Sequence, residues 1–390
     1  MLDFPENIES LPIVQSGWKA SDFPPSEPER WLHVLSEQEI DLLGTLADKC
    51  LSITPAATID DLILSLDAIE IVYEDDLRCS EFNKVLNNIV QTKVVHGQGF
   101  VVYRGLPVHL WSKAKTATAF LLLSRTIGPL RKQNKKAHVL GHVINLGLSS
   151  SNPNVRVYQT SERQTFHTDA ADVVLLLCLQ PALEGGVSSL VSTDALYNEL
   201  MRRSPDLLRI LLNPLPYDRR GEQGPGELPY LNVSVLSVSD DEHATAFYQR
   251  QYIDSTQRLP EAPRLSELSV RALNAFDDIC NSKEMQFSTV LQPGDVQIVH
   301  NYSTLHDRSA FVDDPESKRH LLRAWVSPSY GIELPKTHLF SLHGVAKVGD
   351  RGGLPVPGVD PVAVYEVRKI EEEVRSDEAY AADLKWGLAT

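Results

Sequence analysis

Phe166-His167-Thr168-Asp169 has a distant partner in Leu305-His306. In an extended strand residues two apart point to the same face, so His167 and Asp169 lie together while Thr168 points away. A later strand that laid His306 beside them would complete a set of two imidazoles and one carboxylate. That facial donor set suits a non-haem iron(II) ion and leaves the opposite side of the metal open for oxygen and a co-substrate. Binding needs an ionised Asp169 and two neutral imidazoles. His300, at the end of the run Val296-Gln297-Ile298-Val299, and His320 are rival third ligands. His320 is disfavoured because it alternates with Arg319.

Arg319-His320-Leu321-Leu322-Arg323-Ala324-Trp325-Val326 is the second unusual stretch. As a strand it places Arg319, Leu321, Arg323 and Trp325 on one face and the other four residues opposite. A guanidinium stays charged, so a buried arginine needs an anionic partner. Four residues span ~13 Å along a strand, so two pocket-facing arginines would serve two different anionic groups.

A chain of 390 residues holds one large domain or two ordinary ones and can bury a substantial core. The formal net charge of -15 argues against a nucleic-acid partner. Cys50, Cys79, Cys178 and Cys280 are scattered without a CxxC pair, which gives no zinc knuckle and no disulfide framework. The N-terminus has neither a basic region nor an apolar signal core, and no apolar run approaches a membrane span. These features lead us to expect a cytoplasmic protein with reduced thiols and no membrane partner; a homodimer is allowed. There is no GxSxG or comparable nucleophile motif for a hydrolase.

Along the chain, residues 1-95 read as a Pro- and Ser-rich arm followed by helical cover. Ser36 and Glu39 form a capping box that opens a helix through Leu46. A second helix begins at Ser80, and a third runs from about Trp111 to Ile127, stopped by Gly128-Pro129. Strands are expected at Phe100 to Tyr103, around Val155 and Val157, and at Val173 to Leu179, Val187 to Val191, Tyr230 to Val238, Val296 to Val299 and Arg319 to Val326. Helices are expected over Thr193 to Leu212 and Arg264 to Ile279. Many strands with flanking helices and no regular βαβ alternation predict an α+β, mainly β fold: a double-stranded β-helix, or jelly roll, over 96-330. A large insertion at about 213-291 between core strands would form a lid. A C-terminal extension, 331-390, would pack on the same domain.

The order and spacing of these motifs resemble the taurine dioxygenase-like (TauD/TfdA) superfamily, especially its clavaminate-synthase-like members. The resemblance runs from about Gly99 to Trp325. It rests on Tyr158-Gln159-Thr160 leading into Gln164-Thr165-Phe166-His167-Thr168-Asp169, Gly185-Gly186-Val187-Ser188-Ser189, Pro293-Gly294-Asp295 leading to His306, and Arg319-His320-Leu321-Leu322-Arg323. The resemblance implies a catalytic iron(II) held by His167, Asp169 and His306. It implies that Arg319 binds the far carboxylate of 2-oxoglutarate with help from the Ser188 hydroxyl, and that Arg323 faces an acidic group of the substrate. The two arginine roles could be exchanged. The implied reaction consumes O2 and 2-oxoglutarate, releases succinate and carbon dioxide, and oxidises an unactivated C–H by hydroxylation, desaturation or cyclisation. A small polar, anionic substrate is expected, an amino acid or a precursor in secondary metabolism. Gln159, Gln164 and Asn145 are candidate substrate contacts, and Tyr248 and Arg250 candidate lid residues. The alternatives are a cupin-like lyase or isomerase without 2-oxoglutarate chemistry and a jelly-roll binding protein that has lost catalysis.

Overall fold

Ten strands build two facing sheets, and the sequence shows which side of each is covered. In chain order they are β1 (Leu32–Val34), β2 (Phe100–Arg104), β3 (Gly141–Ile144), β4 (Gln164–His167), β5 (Val173–Gln180), β6 (Ser188–Ser192), β7 (Phe287–Thr289), β8 (Val296–His300), β9 (Thr304–Arg308) and β10 (His320–Val326). The larger sheet has the order β1-β2-β8-β5-β10-β3 and the smaller β7-β6-β9-β4. Every pairing is antiparallel except that of β1 with β2. This is the expected jelly roll. The computed structural model describes residues 11–376 apart from 151–154, 222, 224, 225, 343, 355 and 357. The start of the expected arm, 1–10, and the end of the expected C-terminal extension, 377–390, lie outside the described residues.

β5 is apolar at nearly every position because both of its faces are covered. Leu175 and Leu177 pack outward with Leu322 and Ala324 of β10, against Leu43 and Phe120 from helices. Leu176 between them turns inward, as do Leu321 and Arg323 of β10. Leu175 has no exposed surface, so Leu175→Ala would cost ~2–5 kcal/mol.

Three of the helices on this outer face are α1 (Glu37–Ile53), α2 (Glu81–Ile89) and α3 (Lys113–Ile127). Each begins after a serine whose hydroxyl accepts a backbone N–H of the first turn: Ser36, Ser80 and Ser112. At Ser36 the box is reciprocal, since its N–H donates to Glu39 Oε2 at 2.7 Å. α4 (Thr193–Arg203), α5 (Pro205–Leu212) and α6 (Glu267–Cys280) cover the smaller sheet, where Leu196, Leu200, Leu208 and Phe276 meet Val191 and Leu305.

Four local expectations need correction. The single helix over 193–212 is two, because Pro205 cannot donate a helical hydrogen bond and restricts Ser204, which sits outside the helix at φ -155, ψ 68. Val157–Gln159 is a short 3-10 turn rather than a strand; the Thr160 hydroxyl donates to Val157 O at 2.9 Å, an option a strand would not offer. The strand expected over 230–238 breaks at Val235: Tyr230–Ser234 pairs with Pro214–Asp218, and Leu236–Val238 pairs with Ala244–Ala246. β4 ends at His167, so Asp169 lies just past the strand and not within it.

The residues outside the sheets anchor the site. Trp18 and Phe23 of the arm pack with Phe100 and Phe287 between the two sheets. Beyond β10, Arg351 forms a fully buried ion pair with Asp172 at 2.6 Å and donates to Ile332 O at 2.6 Å. It thereby fastens the chain after Val326 to the loop that follows Asp169. Among the described residues no helix is long and apolar enough to cross a membrane.

Candidate metal centre

β4 and β9 are neighbours, and their antiparallel register sets His167 directly opposite His306. The two rings lie 4.0 Å apart between centroids. Asp169 reaches the same point from the loop after β4, where its N–H donates to Asn301 Oδ1 at 2.7 Å. One ligand atom from each of His167, Asp169 and His306 falls within 4.8 Å of the others, and no other such group occurs among the described residues.

Hydrogen bonds prepare these atoms. His167 Nδ1 donates to Thr165 O at 2.9 Å, which leaves Nε2 as the acceptor, and Gln164 Nε2 donates to it at 2.8 Å. Asp169 Oδ2 accepts from Arg323 Nη1 at 3.1 Å and from Trp325 Nε1 at 3.0 Å. Oδ1 is the oxygen that faces His167 Nε2, at 3.9 Å. His306 Nδ1 is buried without a hydrogen-bond partner. Burial pushes His306 down to about 3 and lowers His167 as well, so both imidazoles are neutral at ordinary pH. Burial opposes ionisation of Asp169, but the Arg323 guanidinium leads the groups that outweigh it, the Trp325 N–H among them, and its carboxyl sits below the usual range. Two neutral imidazoles, one of them with an orphaned nitrogen, and one carboxylate oxygen fit a divalent metal of the iron(II) type.

The centre opens into a pocket between the sheets. Its walls include Val143 and Leu176, and its polar groups include Ser188, Arg308, Arg319 and Arg323. Arg319 is 5% exposed, and its buried Nη1 has no partner. Burial pushes its pKa down to about 10, partly offset by Cys178 and Asp313. Arg323 is tied differently. Its Nε donates to Gln133 Oε1 at 2.8 Å, and its guanidinium lies over the Tyr158 and Trp325 rings at 4.9 and 4.7 Å.

The pocket thus gathers His167, Asp169, His306, Ser188, Arg319, Arg323 and Gln164 from the residues singled out in the sequence. The Ser188 hydroxyl donates to Gln297 Oε1 at 2.9 Å. Asn145 and Gln159 are not among the lining residues. Asn145 donates to Asp313 at 3.0 Å and accepts the Gly147 N–H, while Val143, two residues earlier, forms the wall. Gln159 Oε1 turns back to Arg156 N at 3.3 Å, and Tyr158 takes the pocket position. Tyr248 and Arg250 both bond Asp277 at 2.7 Å, on α6 and away from the lining. His300 bonds Ser303 at 2.7 Å, and His320 bonds His142 at 2.9 Å on the far side of β10, so neither rival joins the centre. Arg308 also lines the pocket, and its place two residues after His306 in a strand is a signal the sequence carries.

Residues 80–325 match the model of the taurine catabolism dioxygenase TauD, TfdA family. The chain belongs to this family. Among relatives, FR-33289 synthase of Streptomyces rubellomurinus is 31% identical over 262 residues, covering 65% of this chain and 76% of that protein. Uridine-5'-phosphate dioxygenase of a Streptomyces species is 26% identical over 176 residues, covering 43% and 63%. Among solved structures, an asparagine oxygenase in complex with Fe(II), 3-hydroxyasparagine and succinate aligns with a TM-score of 0.56 at 18% identity, over 76% of this chain and 93% of that one. As a TauD/TfdA-family protein the chain is a dioxygenase that works with iron(II), 2-oxoglutarate and O2.

Proposed function

We propose that this dioxygenase oxidises an unactivated C–H of a small polar substrate that carries an acidic group, with His167, Asp169 and His306 as its iron ligands. The observation that carries the reading is the pocket itself: a three-donor cluster at one end and a buried, unpartnered Arg319 beside Ser188 in the same cavity. Iron(II) held there supplies chelation of 2-oxoglutarate and activation of oxygen.

The chain's own residues do the rest. Thr165 O holds the His167 tautomer with Nε2 free to ligate once Gln164 turns aside, and Arg323 and Trp325 hold Asp169 so that one oxygen faces the donor cluster. Arg319 binds the distal carboxylate of 2-oxoglutarate, joined by Ser188 once its hydroxyl turns from Gln297 Oε1. Arg323, with Nε and Nη1 already engaged, presents its remaining edge to the substrate's acidic group. The aliphatic walls Val143, Leu176, Leu291 and Leu321 exclude water from the reacting carbon. Relatives named for asparagine and for uridine 5'-phosphate support an amino acid or a nucleotide-like metabolite, since each has an acidic group for Arg323.

Anaerobic titration of the metal-free protein with Fe(II) and then 2-oxoglutarate tests this reading. A weak visible charge-transfer band is expected, and amino acids and nucleoside monophosphates can then be screened for perturbation of it. Iron binding without such a band would refute the assignment of the pocket.

A further inference from the structure

The pocket holds more positive charge than this reading uses. Arg323 is matched by Asp169, and Asp307 is occupied by Arg163 at 2.8 Å. Arg319 is matched by one carboxylate of 2-oxoglutarate. Arg308 is left over. It is 7% exposed, it lines the pocket, and no carboxylate lies within ion-pair distance of it among the described residues. Its Nη1 donates to Thr160 O at 3.0 Å and its Nη2 to Glu162 O, but its buried Nε has no partner. Arg308 and Arg319 sit against the same ring, with their guanidinium carbons 4.6 and 5.2 Å from the Phe311 centroid. Two adjacent buried cations, each with an unsatisfied N–H, form a seat for an anion.

We propose that Arg308 is a second binding residue for the distal carboxylate of 2-oxoglutarate, completing a seat with Arg319 and Ser188. The ladder between β9 and β6 places Arg308 directly opposite Ser188. His306 and Arg308 share one face of β9 two residues apart, a separation of ~7 Å. β9 therefore carries both a metal ligand and this arginine on the face that lines the pocket. Arg308 holds its position through the two carbonyls of the 160–162 loop, so its free N–H is fixed before the acid arrives. The inference rests on the 2-oxoglutarate reading of the pocket.

The test compares two keto acids on the full iron(II)-loaded chain under anaerobic conditions. 2-Oxoglutarate has the distal carboxylate; 2-oxobutanoate lacks it. Binding is measured for wild type, Arg308→Gln and Arg308→Lys, with iron affinity recorded for each. The expected result is a loss of about tenfold or more in 2-oxoglutarate affinity for Arg308→Gln, a smaller loss for Arg308→Lys, and unchanged 2-oxobutanoate and iron affinities. Equal loss for both acids would make Arg308 a strut for the 160–162 loop and overturn the proposal, as would unchanged 2-oxoglutarate affinity. If Arg308→Gln does not fold, Arg308→Lys decides by the same comparison. A wild type that binds iron but not 2-oxoglutarate would instead overturn the reading of the pocket.

Discussion

Trp325 and Asp169 are joined by an indole N–H that donates to Asp169 Oδ2 over 3.0 Å, the same oxygen that accepts from Arg323. Two donors on one oxygen fix the carboxylate plane and leave Oδ1 toward His167. Trp325→Phe keeps most of the ring over Arg323 and removes only the donor. Outer hydrogen bonds of this kind are worth about 10–100-fold in metal affinity. Anaerobic calorimetry with Fe(II) or Co(II) should therefore show at least a tenfold weaker complex for Trp325→Phe. An unchanged affinity would mean that Arg323 alone orients Asp169.

Arg319 carries a cost that its proposed role explains. Its charge is buried with Nη1 unpaired, and such a group destabilises the fold until an anion arrives. Arg319→Met should remove that cost. We expect the co-substrate-free protein to gain about 1 kcal/mol or more in denaturant unfolding while 2-oxoglutarate-dependent succinate formation falls below detection. A variant that is both less stable and still active would contradict the assignment.

Much of the site could be read from period-two alternation and spacing. Leu321 with Arg323 was legible because residues two apart in a strand share a face, whereas Asp169 joins His167 from the loop past β4, held by Asn301. The facing register that sets His167 opposite His306 was not, because pairing between strands so far apart in sequence leaves no local mark. Asn145 and Gln159 misled for the converse reason. Their polar ends are consumed by Asp313, Gly147 and Arg156, contacts fixed by tertiary packing and turn geometry rather than by sequence pattern. The helix starts at Ser36, Ser80 and Ser112 were legible to within two residues, since a cap is a local hydrogen bond.

Acid should destabilise the metal-free protein through histidines outside the metal centre. Burial pushes His142 down to about 4, where it is held by Val364 O at 2.8 Å and faces His138, His320, Lys113 and Glu366. Burial likewise pushes His338 down to about 3, with Arg351 nearby. In the unfolded chain both would titrate near the ordinary imidazole value of 6.5. The folded pKa values are depressed, so the unfolded state binds more protons below that value and stability falls as pH drops toward 4. Each group contributes about 1–2 kcal/mol of loss between neutral pH and about pH 5. Urea unfolding at those two pH values should show the loss, and His142→Asn should show a shallower dependence. An identical slope in the variant would place the acid sensitivity elsewhere.

Gly186 links the turn after β5 to the anion seat. Its φ is +66, a conformation that favours glycine, and a Cβ there would lie 2.9 Å from Arg319 Nε and 3.2 Å from its Cδ. The missing side chain is what allows Arg319 to lie flat beside the turn. Gly186→Ala should push the guanidinium out of register with Ser188 while leaving the three donors on β4, its following loop and β9 untouched. The expected signature is a raised KM for 2-oxoglutarate, about tenfold, with iron(II) affinity equal to wild type. Gly185→Ala makes the contrast, because its Cβ would strike Ala310 O at 2.2 Å and not the arginine. That variant should lose stability rather than co-substrate affinity. If both variants shift KM equally, the turn acts through general distortion and Gly186 has no separate role in placing Arg319.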